Sequence, residues 1–441
     1  VIDRSELEAK EAKEAAEEES RRKRQNGIVV GIDFGNTFTG VSYAHQADGE
    51  MIDVVKWPKH SISYAKVPTI SLYKASEPTK FLDWGSSAMA TYRRTKKDKL
   101  LVRDYKLLLF DQDARGKLDL GLHLTDVFTQ YLSKIHGHLL EEVNKSQVLA
   151  AEAVPAHYCV TAEAAATYCR ENCDEFEALK DGDIFMICDA GGLTTNVTVF
   201  RVDDCLGVRQ FVRMSSSHDE NCGSVNLDRS FKSLVLSKLA GLDVEENPTR
   251  LRAFETLLEG FEEIKAQFDL LTCDEVKHLS VPMGLDVNEL DPPPSWLEEE
   301  YMSLRGKELC DLVFDPVVEK VLELINIQSR SHSVCAGLFM VGGFGSNKYL
   351  QDKLQLAAAM RIKLMNSNGH SNGSDPDSRR SSYMNGLVNS IGDLNLSQAG
   401  SLMTAGIIKK VIIVPKAEMA VARGAVIYGL KSASQHTKAF L

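Results

Sequence analysis

Apolar residues in this chain come in short runs, and most runs end at a turn signal. Residues 28–43 read IVVGIDFGNTFTGVSY: an apolar strand, a polar glycine turn, then a strand of alternating apolar positions. Residues 184–200, IFMICDAGGLTTNVTVF, repeat that plan. The spacing predicts two hairpins, the second extended into a three-stranded meander over 184–213. Residues 67–73 and 148–154 predict further strands, and 99–110 a helix or strand edge. Between 124 and 143, Leu124, Val127, Phe128, Tyr131, Leu132, Ile135 and Leu139 recur at helical spacing, which predicts a helix with one face in a core. The small residues at 164–168 predict a helix that packs closely on a neighbour. Further helices are expected over 225–240, 249–270 and 308–328. Residues 337–356, GLFMVGGFGSNKYLQDKLQL, read as a buried strand, a glycine turn and a helix from near Ser346. A strand at 411–414 and a small-residue helix at 417–430 close the series.

Two segments break the pattern. Residues 3–24 are charged and rich in Ala, with too few apolar positions to bury a face. Their Arg21-Arg22-Lys23-Arg24 run reads as a solvated charge run or as a nuclear address. Residues 366–402 are rich in Ser, Asn and Gly and cannot bury a core. The expected organisation is a charged tail (1–26), lobe I (27–182), lobe II (183–365), a low-complexity insertion (366–410), and a strand and helix returning to lobe I (411–441).

At 441 residues, two or three domains are expected rather than one small core. A net charge of −11 argues against general nucleic-acid binding. No apolar stretch is long enough to span a membrane, and no secretory signal is visible. Nine cysteines lack paired CxxC knuckles, so buried free thiols and a cytoplasmic location are expected.

The chemistry concentrates at the turns. An Asp at a strand end beside a glycine hairpin, as at Asp33 and Asp189, can present a carboxylate to metal-bound water. The N–H groups of such turns can reach phosphate oxygens. Two such hairpins far apart in sequence suggest two lobes that share one nucleotide. Gly342, Gly343 and Gly345 would let backbone lie against a ligand, with the following helix N-terminus adding positive partial charge.

These segments, in this order, resemble the actin-like ATPase superfamily, and within it the nucleotide-binding domain of heat-shock protein 70. The similarity is to divergent relatives that lack the peptide-binding half. Residues 31–37 (GIDFGNT) are similar to the first phosphate motif, 189–196 (DAGGLTTN) to the second, and 341–346 (VGGFGS) to the adenosine motif. Residues 418–425 (EMAVARGA) are similar to a helix that connects the lobes. Only eleven residues follow Leu430, too few for a peptide-binding domain there. The resemblance implies an α/β, two-lobed actin-like (ribonuclease-H-like) fold with a central nucleotide cleft, and ATP or ADP with Mg²⁺ as cofactors. It makes Asp33 and Asp189 the residues that orient water around the metal. Gly35, Asn36, Thr37, Gly191, Gly192 and Thr194 become phosphate contacts, and Lys106 the lysine that reaches the terminal phosphate, a surface lysine being the alternative. Gly223 and Ser224 resemble a loop that touches phosphate. Glu262 and Lys265 resemble the residues that hold ribose and adenine, or they form a surface i,i+3 ion pair. Gly342, Gly343, Gly345 and Ser346 would lie against the nucleoside.

The departures from the family pattern bear on turnover. Asn196 stands where an Asp is usual, Thr161 where a Glu is usual, and Ala266 where an arginine stacks on adenine. Leu193 replaces a glycine, which predicts obstruction of the phosphate turn. Between Ala156 and Thr161 a helix and a strand are missing. The function implied is nucleotide binding with weak or lost hydrolysis, acting by lobe closure, with unidentified proteins as possible partners. A non-binding interaction module and a small-molecule kinase are the alternatives.

Overall fold

The computed structural model describes residues 27–46, 48–60, 63–109, 122–145, 161–205, 208–219, 221–332, 334–368 and 406–438. The expected strand at 148–154, the gap before Thr161, the charged tail and residues 369–405 of the expected insertion lie outside these. The fold is mixed α/β. The chain divides into two compact units, Val1–Glu171 with Met419–Leu441, and Asn172–Glu418. The boundary thus falls ahead of residue 182.

The first unit opens with an antiparallel hairpin of β1 (Ile28–Phe34) and β2 (Phe38–His45), flanked by β3 (Met51–Asp53) and β4 (Lys66–Pro68), both paired with β2. A second antiparallel sheet joins β5 (Ser71–Lys74) to β6 (Glu77–Trp84) and β7 (Lys99–Val102). All described strands of this unit pair antiparallel. Helix α1 (Gly85–Arg94) follows β6 and packs on the second sheet. Helix α2 (Leu124–Lys145) buries Leu124, Val127, Tyr131, Ile135 and Leu139, the stripe its sequence prescribes. Helix α3 (Thr161–Asn172) carries the buried Ala164, Ala165 and Ala166.

The C-terminal helix of this unit, Ala420–Lys438, meets α3 and β1 through glycines. A Cβ on Gly424 would lie 1.8 Å from the Ala164 carbonyl oxygen, and one on Gly31 would lie 2.0 Å from that of Ala422. Neither backbone-on-backbone approach tolerates a side chain. A bidentate ion pair between Arg423 and Asp53, with Ser42 Oγ donating to the same carboxylate at 2.8 Å, fixes the helix on β2 and β3.

The second unit is built on a five-stranded sheet ordered β10–β9–β8–β15–β17. Short helix α4 (Asp174–Glu177) precedes β8 (Ile184–Ala190), β9 (Thr195–Cys205) and β10 (Val208–Asp219), which form the expected antiparallel meander. Strands β15 (Gly337–Val341) and β17 (Val411–Ile413) add in parallel. Strand β17 therefore belongs to this unit, not to the returning segment that was expected from 411 onward. The pairing of β14 (Val334–Cys335) with β16 (Ile407–Ile408) likewise places part of the expected insertion in the fold.

Helices α5 (Val225–Lys238), α6 (Pro248–Glu259) and α7 (Phe261–Gln267) follow the meander. The single helix expected over 249–270 is broken at Gly260 and ends at Gln267, with Phe268 and Asp269 extended before a short 3-10 turn at Leu270–Thr272. A Cβ at Gly260 would come within 2.9 Å of Leu279 on β11 (Val276–Ser280), which pairs with β13 (Tyr301–Arg305), itself paired with β12 (Leu297–Glu298). Helix α8 (Gly306–Leu309) runs through a π turn into α9 (Asp315–Ser329), and α10 (Lys348–Asn368) follows the glycine loop. The C-terminal helix Ala420–Lys438 is α11. Aromatic rings fill the core, with Phe176, Phe185, Phe211 and Phe339 in one cluster and Phe261, Phe268, Phe314 and Tyr349 in another.

Candidate functional site

The two hairpins share one geometry. Asp33 pairs across its hairpin with Gly40, and Asp189 pairs with Asn196, seven residues on in each case. The turn is closed the same way in both: Gly35 N–H donates to Phe38 O at 3.1 Å, and Gly191 N–H to Thr194 O at 2.9 Å. Register thus makes Thr37 the counterpart of Leu193, and Thr194 that of Phe38. The two candidate hydroxyls do not occupy equivalent places. The buried counterparts are Thr39 and Thr195, and both are structural.

Most carbonyls of each turn accept from within the unit, whereas the N–H groups that follow Gly35 and Gly191 in the turns find no acceptor among the described residues. In the first turn, Lys106 Nζ donates to Phe34 O at 2.5 Å, Thr69 Oγ1 to Gly35 O at 2.9 Å and Thr69 N–H to Thr37 O at 2.8 Å. In the second, Ser224, Val225 and Gly223 donate their N–H groups to the carbonyls of Gly191, Gly192 and Leu193. Among the described residues no acceptor meets the N–H of Asn36 or Thr37, nor that of Gly192, Leu193 or Thr194. Asn36 Oδ1 is buried without a hydrogen-bond partner among the described residues. A turn with most carbonyls occupied and two or three consecutive N–H groups open can receive an anion.

The first turn rests on a network of hydroxyls. Thr69 Oγ1 donates to Gly35 O, so it accepts from Thr39 Oγ1 at 2.9 Å, and the single Tyr131 hydroxyl hydrogen is shared between Thr39 Oγ1 at 3.0 Å and Pro68 O at 3.1 Å. Beneath it, the Phe34 ring packs against Tyr105, Phe128 and Tyr131. Burial holds the Tyr131 phenol well above its ordinary range, so it stays a donor.

Several candidate residues differ from expectation. Leu193 is only 4% exposed. The N–H groups of Gly223 and Ser224 are spent on the hairpin, and those of Val225, Asn226 and Leu227 on the carbonyls of Gly192, Gly223 and Ser224. The α5 N-terminus therefore keeps no open donor there for phosphate. A Cβ at Gly223 would lie 2.3 Å from Gly192 O, so this glycine serves packing.

In the glycine loop, Gly342 and Gly345 are buried, while Gly343 and Ser346 are exposed. Gly342 has a left-handed φ of 84°, and its Cβ position lies 2.3 Å from Ala190 O and 2.6 Å from Asp189 Oδ1. This glycine seats the loop on the Asp189 strand end. Gly343 has no atom within 4 Å of its Cβ position. Gly343 and Ser346 are therefore the loop residues open to a ligand.

Lys265 forms the i,i+3 pair with Glu262 at 2.8 Å and a second with Asp228 of α5 at 2.7 Å. Burial by itself would lower the Lys265 pKa, but the two carboxylates outweigh it and hold it raised. Asn347 Nδ2 donates to Lys265 O at 2.9 Å, tying α7 to the glycine loop. The second hairpin, the glycine loop and the Glu262–Lys265 helix thus form one connected cluster in the second unit.

Sequence reasoning missed Lys66. Its Nζ lies 2.7 Å from Asp33 Oδ2, with the two side chains 11% and 14% exposed. The residues do not suit a protein-held Mg²⁺ well. Mg²⁺ takes one or two carboxylates beside substrate phosphates. Here Asp33 is already paired with an ammonium, and an amide, Asn196, stands beside Asp189. No group of three His, Cys, Asp or Glu among the described residues could hold a metal ion.

Compared with models of known protein families the chain matches none, and no curated protein matches it. Among the described residues, no helix is long and apolar enough to cross a membrane.

Proposed function

We propose that this chain is an adenine-nucleotide-binding protein of the actin-like ATPase kind, with hydrolysis weak or lost. One observation carries the reading: two hairpins of the same register, each with an Asp at its strand end and open N–H groups at its turn. ATP or ADP supplies the anion such turns receive. Gly343 and Ser346 offer an exposed, side-chain-poor surface for the nucleoside. The protein acts through a conformational response to binding rather than through turnover. Asn196 cannot accept a proton from attacking water as a carboxylate does, and losing one preorganised group typically costs about 10²–10³ in rate.

A second reading, an interaction module that binds no nucleotide, draws on the closed α5 N-terminus. Calorimetric titration with ATP and ADP separates the two. The proposal expects micromolar or weaker binding that Gly343→Val abolishes, and single-turnover phosphate release near background. The double change Asn196→Asp with Thr161→Glu should raise that rate. Absence of any heat of binding would support the module. Brisk hydrolysis by the unaltered chain, lost in Asp189→Asn, would refute the claim of decay.

A further inference from the structure

The place of Lys66 follows from the sheet. Asp33 on β1, Gly40 on β2 and Lys66 on β4 are successive lateral partners in one row. Neighbouring strands lie about 4.8 Å apart, so the Lys66 backbone stands roughly two strand spacings from Asp33. A lysine side chain spans that distance only if nothing projects from the strand between. Gly40 provides the gap: a Cβ there would lie 3.3 Å from Lys66 Cε and 3.4 Å from Lys66 Cγ. The stem lies across this glycine and delivers the ammonium to Asp33.

The Lys66 strand also walls the first turn. Its Pro68 pairs with Phe38, and the next residue, Thr69, binds the carbonyls of Gly35 and Thr37. Two ammonium groups, Lys66 and Lys106, contact a hairpin whose only acid between residues 28 and 45 is Asp33. A divalent ion at Asp33 would have to displace an ammonium held at 2.7 Å in a nearly buried site.

We propose that Lys66 is the built-in counter-ion of the nucleotide phosphates at the first hairpin, so that binding needs no divalent metal. The inference rests on the nucleotide reading above and adds a charge requirement to it. Phosphate on the open Asn36 and Thr37 N–H groups meets a lysine already in place.

The test is titration with ATP in EDTA and again in excess Mg²⁺. The wild-type chain is expected to bind ATP in EDTA within about threefold of its affinity in Mg²⁺, since the metal adds no contact the protein must supply. Lys66→Met should lose about 10- to 100-fold in EDTA, the worth of one charged hydrogen bond, and regain part of it in Mg²⁺ as Asp33 is released. Lys66→Arg, which keeps the charge, should restore most of the EDTA affinity. Binding by wild type in Mg²⁺ alone would overturn the inference and leave the nucleotide reading intact. Equal EDTA affinity of Lys66→Met and wild type would also overturn it. No binding in either buffer removes the nucleotide reading and this inference together. If Lys66→Met fails to fold, as judged by circular dichroism, the wild-type comparison and Lys66→Arg still decide.

Discussion

Gly342 and Gly343 are adjacent, yet a single methyl group should have very unequal consequences at the two positions. At Gly342 the backbone is left-handed, with φ at 84°, and an alanine there pays about 1–2 kcal/mol for that conformation. The new Cβ would also lie 2.3 Å from Ala190 O and 2.6 Å from Asp189 Oδ1. Those neighbours are a buried sheet end that cannot rotate away, and overpacking of this sort costs about 1–3 kcal/mol. Gly342→Ala should therefore destabilise the protein by roughly 2–5 kcal/mol, a large share of a marginal total. At Gly343 the backbone is right-handed helical and the Cβ position faces open space. Gly343→Ala should shift stability by no more than about 0.5 kcal/mol. Urea unfolding followed by far-UV circular dichroism reads both. Equal stability of the two variants would refute the argument that Gly342 seats the loop on Asp189.

Three further outcomes follow from packing and burial. Tyr131→Phe removes one hydroxyl of the network under the first turn and should cost roughly 1–3 kcal/mol by urea unfolding; an unchanged midpoint would mean the network does not support the hairpin. Gly424→Leu forces side-chain atoms into the Ala164 carbonyl, where even a Cβ would lie 1.8 Å away, and should unfold or severely destabilise the first unit; a soluble variant of wild-type stability would contradict the close crossing of α11 and α3. Burial pushes the Cys335 thiol from 9.0 up to about 12 and the Tyr73 phenol from 10.0 up to about 12, so the folded state keeps protons that the unfolded chain releases. Their contribution is complete below pH 9 and is lost as pH rises toward 12, so the urea midpoint should fall between pH 8 and pH 11; a rising midpoint would reverse the sign of the burial effect.

The local parts of this fold were legible in the sequence. Both hairpins, the buried stripe of α2, the small-residue contact of α3 and the glycine loop all show in periodicity and turn residues, because each is decided by neighbours within a few positions. Lys106 was singled out and does contact the first hairpin, at the Phe34 carbonyl. What escaped depends on pairing across the chain. Lys66 lies 33 residues from Asp33, and its reach depends on Gly40, which a linear reading takes as an ordinary strand residue. The open or closed state of the Gly223 and Ser224 N–H groups is likewise a tertiary fact, set by where the second turn docks. The burial of Leu193 had no local signal, since a leucine in a polar turn does not reveal what covers it.

The proposal's central claim is that the open amides of these hairpin turns receive nucleotide phosphate. Hydrogen–deuterium exchange, read for peptides covering residues 35–38 and 191–195, tests it most directly. Turn N–H groups without protein acceptors exchange fast in the free protein and slow when a phosphate oxygen accepts from them. The account predicts that saturating ATP protects both peptides while leaving the buried strands β8 and β15 unchanged. Protection of neither turn, with ATP bound or unbound, would contradict it.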